Sequence, residues 1–178
     1  MKYIISIILI TTCLFSQNEP ESTQKMLSKN LKPFQVFISK TFKGEFANST
    51  PEKPVYDISR WERALNGNAI RIMHSVNNGE YGGESIVIWD TKKESLVSWY
   101  FTTAGFYPQA TLHFEDEKLI SIEDVTGNKN GITQVKTIIE FLSDGELLNS
   151  SKYFMNGSWV DGHKIHYMEA PDAIVVFK

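Results

Sequence analysis

The densest run of chemically able side chains is Arg60-Trp61-Glu62-Arg63, followed, after an Asn66-Gly67 turn signal, by Arg71 and His74. On an extended strand, Trp61 and Arg63 share one face, and Arg60 and Glu62 share the other. An inward Arg63 or Arg71 would clamp a carboxylate through a bidentate fork. Outward, Arg60 and Glu62 are ordinary cross-strand surface charges. Glu84 closes the run Tyr81-Gly82-Gly83-Glu84, whose two glycines mark a strand bend or a place where something approaches the backbone closely. Buried without an arginine, its carboxyl would hold its proton more tightly. Trp89, Trp99, Tyr100, Phe101, Phe106 and Tyr107 form an aromatic centre that can line an apolar pocket or serve as core. The candidate ligand-contacting set is therefore Trp61, Arg63, Arg71, His74, Glu84, Trp99, Tyr100 and Tyr107.

Other chemistries lack their residues. His163 and His166 are three apart, so on a strand they point to opposite faces and cannot chelate one ion; His74 and His113 stand alone in sequence. There is no HExxH, and Gly127-Asn128-Lys129-Asn130-Gly131 lacks the Gly-Lys-Ser/Thr end of a phosphate loop. A G-x-S-x-G elbow is missing as well. No catalytic residue, metal or cofactor is assigned.

These side chains need elements to hold them. Between residues 40 and 169, about ten segments rich in Val, Ile, Thr, Tyr, Phe and Trp alternate with Asn66-Gly67, Asn78-Gly79, Asp116-Glu117, Asp144-Gly145 and Asn156-Gly157. Such dipeptides supply the positive φ angles of tight hairpins. Consecutive strands then pair in order, and no helix-length segment separates them for a parallel crossover. The fold class expected is all-β: an up-and-down antiparallel β-barrel of about ten strands, closed so that no edge is left exposed. Ahead of it, Met26, Leu27, Leu31, Phe34, Phe37 and Ile38 recur at three- and four-residue steps, predicting a short helix interrupted or opened by Pro33.

The N-terminus reads as an export signal. Lys2 precedes an apolar run, YIISIILI, too short to span a bilayer, and Ser16 sits before the polar QNEPES. The expected organisation is a signal peptide over 1–16, a polar lead-in and helix start over 17–30, and a barrel domain over 31–178. The mature chain would be secreted or periplasmic. Lipid anchoring at Cys13 is the lesser alternative, because Thr12 stands where a lipoprotein box carries a small residue. Cleavage after Ser16 leaves no cysteine for disulfides. Without Lys2, 17 of the 18 basic residues face 21 acidic ones, a net charge of −4 with no basic block, which argues against nucleic acid. No further apolar run is long enough for a transmembrane segment. The sequence carries no reading of oligomeric state.

Lys40-Thr41-Phe42-Lys43-Gly44-Glu45-Phe46 resembles the G-x-W-x-G opening of lipocalin-like (calycin) proteins, with Phe42 for the tryptophan and Lys40 for the first glycine. The stretch RWERALNGNAIRIMHSVNNGEYGGESIVIWD is similar to exported bacterial members of that group. The resemblance implies a small hydrophobic molecule held inside the barrel. Some barrels of this kind, the nitrobindins, hold heme through a C-terminal histidine, which the resemblance would put at His163 or His166, although the flanking nitrobindin motifs are missing. The alternatives are a small isomerase or hydrolase using an acid/His pair in the cavity, and an interaction module with a packed barrel.

Overall fold

A computed structural model of the chain describes residues 26–142 and 145–178. The segment expected to be an export signal, Cys13 and the lead-in up to residue 25 lie outside the described residues. Ten strands follow one another: β1 (Thr41–Phe46), β2 (Tyr56–Ala64), β3 (Ala69–Val76), β4 (Tyr81–Asp90), β5 (Ser95–Thr102), β6 (Gln109–Glu115), β7 (Lys118–Asp124), β8 (Ile132–Phe141), β9 (Glu146–Met155) and β10 (Ser158–Glu169). Each pairs antiparallel with its neighbours in sequence, and β1 pairs with β10, so the sheet closes as an up-and-down barrel. This is the expected architecture.

Turn chemistry fixes the register. Met155 and Ser158 are partners across Asn156-Gly157, whose φ angles of 52° and 80° suit a two-residue hairpin turn. Asp116 and Glu117, both at positive φ, do the same between Glu115 and Lys118. With register set, period-two alternation sends Asp57, Ser59 and Trp61 of β2 inward, as it does Ile72 and His74 of β3 and Ser98 and Tyr100 of β5. Leu65–Gly67, where a two-residue turn was expected, is a tight 3₁₀ turn that begins one residue earlier.

One end of the barrel is stoppered. The expected helix is a 3₁₀ segment, Lys29–Phe37, that contains Pro33. Its Leu31, Phe34 and Phe37 are buried in the barrel core. Phe37 stacks on Trp61 with centroids 4.6 Å apart, while Phe34 meets Phe114 edge-on at 5.1 Å. Burying a ring of this size contributes about 1.5–3 kcal/mol, so the plug is held chiefly by its apolar side chains. Ser28 N–H donates to Gly67 O at 2.9 Å, and Arg63 Nε donates to Met26 O at 3.2 Å, fastening the chain ahead of the plug.

Candidate functional site

Above the plug the interior is hollow. A cavity of about 500 Å³ lies within the barrel, floored by Trp61 and walled lower down by Ile72, Val87, Leu112, Leu119 and Ile139. Its polar residues lie toward the end away from the plug: Asp57, His74, Tyr81, Tyr100, Glu123 and His163. Small residues (Ser85, Ser98, Ala110, Ser121) keep the middle of the wall thin. The volume falls within the ~300–1,000 Å³ usual for small-molecule sites.

A continuous hydrogen-bonded chain occupies that polar wall. Tyr167 O–H donates to Asp57 Oδ2 at 2.7 Å. Asp57 Oδ1 lies 2.7 Å from His74 Nδ1, which therefore carries a proton toward the carboxylate. His74 Nε2 is 2.5 Å from the Tyr100 hydroxyl, and that hydroxyl lies 3.2 Å from the Tyr81 hydroxyl. Asp57 is almost fully buried, with its side chain 2% exposed, while His74 is 25% exposed. Burial, reinforced by Tyr81 and Asp57, pushes the Tyr100 phenol well up. Burial and Asp57 do the same for Tyr167, so both remain protonated donors.

Glycines make room for both long reaches in this chain. Gly44 of β1 is the cross-strand partner of Asp57 on one side and Tyr167 on the other. A Cβ there would lie 2.6 Å from Tyr167 Cδ1 and 2.6 Å from Ile165 Cγ2. Gly83 of β4 lies between His74 and β5, and a Cβ on it would meet Tyr100 Cε2 at 2.6 Å and collide with the Phe101 carbonyl oxygen. Pairing of β3, β4 and β5 runs through Gly82-Gly83 without a register shift, so here the glycine pair serves close approach.

Two further titratable groups face the cavity. Desolvation pushes the Glu123 carboxyl up and the His163 imidazole down, favouring the neutral form of each. His163 Nδ1 is 3.1 Å from both Ser151 Oγ and Tyr153 Oη. Asn149 Oδ1, also on the wall, is buried and has no hydrogen-bond partner among the described residues. The lining includes no lysine or arginine.

The structure therefore distributes the residues singled out by sequence in three ways. Trp61, His74 and Tyr100 line the cavity. Arg71 and Glu84 lie on the outer surface, bonded to each other through both guanidinium nitrogens Nε and Nη2, with Glu62 3.8 Å from Arg71 and Arg60 2.8 Å from Glu62. That ladder explains the raised Arg71 pKa, caused first by the Glu84 hydrogen bond. Arg63 fastens the plug, as described. Trp99 alternates with Tyr100 and faces outward, and Tyr107, 70% exposed, stacks on Phe101 outside the barrel. His166 also faces out, 3.0 Å from Glu146. Among the described residues, no three His, Cys, Asp or Glu side chains group to hold a metal ion.

Sequence reasoning passed over Asp57, Glu123 and Tyr167. Asp57 was within reach of it: a hairpin centred on Asn66-Gly67 pairs Ser59 with His74 and puts Asp57 diagonal to His74 on the same face. Tyr167 and Glu123 carried no comparable local signal. No protein-family model matches the chain, and no curated protein sequence is significantly similar to it. Fold and site define a ten-stranded antiparallel up-and-down barrel with an amphipathic interior cavity, a form consistent with lipocalin-like barrels.

Proposed function

We propose that the chain is an exported, lipocalin-like binding protein whose barrel holds a small, largely apolar, uncharged molecule. The observation that carries this reading is the cavity itself: apolar toward the plug, polar at the other end, and lined by no lysine or arginine to balance a ligand carboxylate. Asp57 already engages His74. A packed interaction module would not need such a space. Export fits a carrier role and rests on the N-terminal pattern.

The test is a fluorescence titration with the neutral probe N-phenyl-1-naphthylamine, followed by competition with decanol and decanoic acid. Saturable binding, displaced by decanol at lower concentration than by decanoate, is the expected result. Failure of the probe to bind, or stronger displacement by decanoate, overturns the reading. For export, the mass of protein recovered from its own host should correspond to a chain starting at Gln17; a diacylated Cys13 would replace the soluble form with an anchored one.

A further inference from the structure

We infer that the Asp57–His74–Tyr100–Tyr81 wall and Glu123 form an acid–base site that moves a proton between carbon and oxygen of an uncharged carbonyl compound. The inference rests on the binding reading above and adds a reaction to it. The hydroxyl chain can carry its protons in two arrangements. With His74 as imidazolium, Nε2–H donates to the Tyr100 oxygen, Tyr100 donates to Tyr81, and the Tyr81 hydrogen is free to point at a ligand. With His74 neutral, Nε2 accepts from Tyr100, Tyr100 accepts from Tyr81, and the Tyr81 oxygen is free to accept from a ligand. A carbonyl oxygen accepts and an enol hydroxyl donates, so the wall suits both partners of one tautomerisation.

Asp57 holds this switch in place. Its two oxygens take Tyr167 and the His74 Nδ1–H, which keeps Nε2 aimed at Tyr100 in either arrangement. The base faces the same space. Ala110 of β6 is the partner of both Ser98 on β5 and Glu123 on β7, and Tyr100 lies two residues along from Ser98 on the same face, so Tyr100 and Glu123 stand two strands and two residues apart, about 12 Å between backbones. Both side chains line the same cavity, with the short Ala110 between their strands. Burial of Glu123, which strengthens its basicity, is consistent with the role.

In the step, the Glu123 carboxylate takes a hydrogen from the carbon beside the carbonyl, and the electron pair of that C–H bond becomes the C=C of the enol. The carbonyl oxygen receives the Tyr81 proton, Tyr81 is refilled from Tyr100, and Tyr100 from His74 Nε2, leaving neutral His74 and protonated Glu123. Once the Glu123 carboxyl has traded its proton with solvent, reprotonation of the same carbon exchanges that hydrogen, and delivery of a proton to a conjugated carbon isomerises the compound. No oxidant or co-reactant is consumed.

The experiment places 2-tetralone with the full mature protein in D₂O and follows deuterium entry at its C1 methylene by proton NMR. N-phenyl-1-naphthylamine binding is measured on the same samples. Exchange above the buffer rate, falling at least about 100-fold in Glu123→Gln and also reduced in Tyr81→Phe, in variants whose far-ultraviolet circular dichroism matches wild type, is the expected result. If wild-type protein binds 2-tetralone but exchanges it no faster than buffer, this inference fails and the binding reading stands. If exchange is equally fast in the folded variants, it also fails. If neither 2-tetralone nor the naphthylamine binds wild-type protein, both fall together. The wild-type comparison decides even where a variant does not fold.

Discussion

Gly83 and Tyr100 occupy the same space in turn: a Cβ on Gly83 would sit 2.6 Å from Tyr100 Cε2, where the ring crosses to reach His74. The hydrogen-bonded wall of the cavity therefore depends on an atom that is missing. Gly83→Ala should destabilise the protein by about 1–3 kcal/mol through overpacking, since the neighbouring Phe101 carbonyl is backbone and cannot swing aside. Denaturant unfolding measures that loss. In the surviving folded protein, long-range ¹⁵N correlation should show the His74 Nε2 resonance shifted as it loses Tyr100.

Tyr167→Phe removes one of the two donors to Asp57 and leaves Oδ2 buried and unpaired. A loss of about 1–3 kcal/mol is expected from that desolvated acceptor, read as a lower urea midpoint with unchanged slope. A smaller change than about 0.5 kcal/mol would mean that Asp57 finds another partner.

The outer ladder should behave oppositely. Arg71 and Glu84 are 39% and 34% exposed, so Arg71→Ala should cost no more than about 1 kcal/mol. N-phenyl-1-naphthylamine affinity should stay within about twofold, which corresponds to less than 0.5 kcal/mol. A large loss of binding would bring Arg71 back to the site.

Glu123 and His163 give the stability a pH signature. The folded state favours protonated Glu123, so its contribution is full below the ordinary value of 4.5 and is lost as pH climbs through the raised folded value. Glu123→Gln escapes that loss, and its urea midpoint relative to wild type should rise with pH above about 4.5 and then level off. His163 has the opposite sign: folding favours the neutral ring, so its contribution is present above 6.5 and disappears as pH falls through the depressed folded value. Midpoints for wild type, Glu123→Gln and His163→Gln between pH 3.5 and 8 check both.

The barrel was legible because its evidence is local. Asn156-Gly157 and Asp116-Glu117 announce hairpins in two residues, and hairpins in series leave few topologies. Which face turns inward was much less legible. On β5 the larger aromatics, Trp99 and Phe101, lie outside, while the modest Ser98 and Tyr100 line the cavity, because a hollow interior wants short side chains and a few polar ones. Composition points the wrong way there. Arg71 likewise reads as a carboxylate clamp and Glu84 as a polar lining residue until the register puts them opposite Ile86 and Met73 on the outer surface. The Tyr167–Asp57 contact joins residues 110 apart in sequence, across a strand that only Gly44 leaves open. Nothing short of barrel closure could bring them together.

The central claim is that the ligand lies inside the barrel, and intermolecular NOEs from bound N-phenyl-1-naphthylamine to assigned methyl groups test it most directly. NOEs should connect the probe to Val87, Leu112, Leu119 and Ile139, the inward methyls of the cavity wall. NOEs confined to Ile86 and Ile138, which alternate with them on the outer face, would contradict the account.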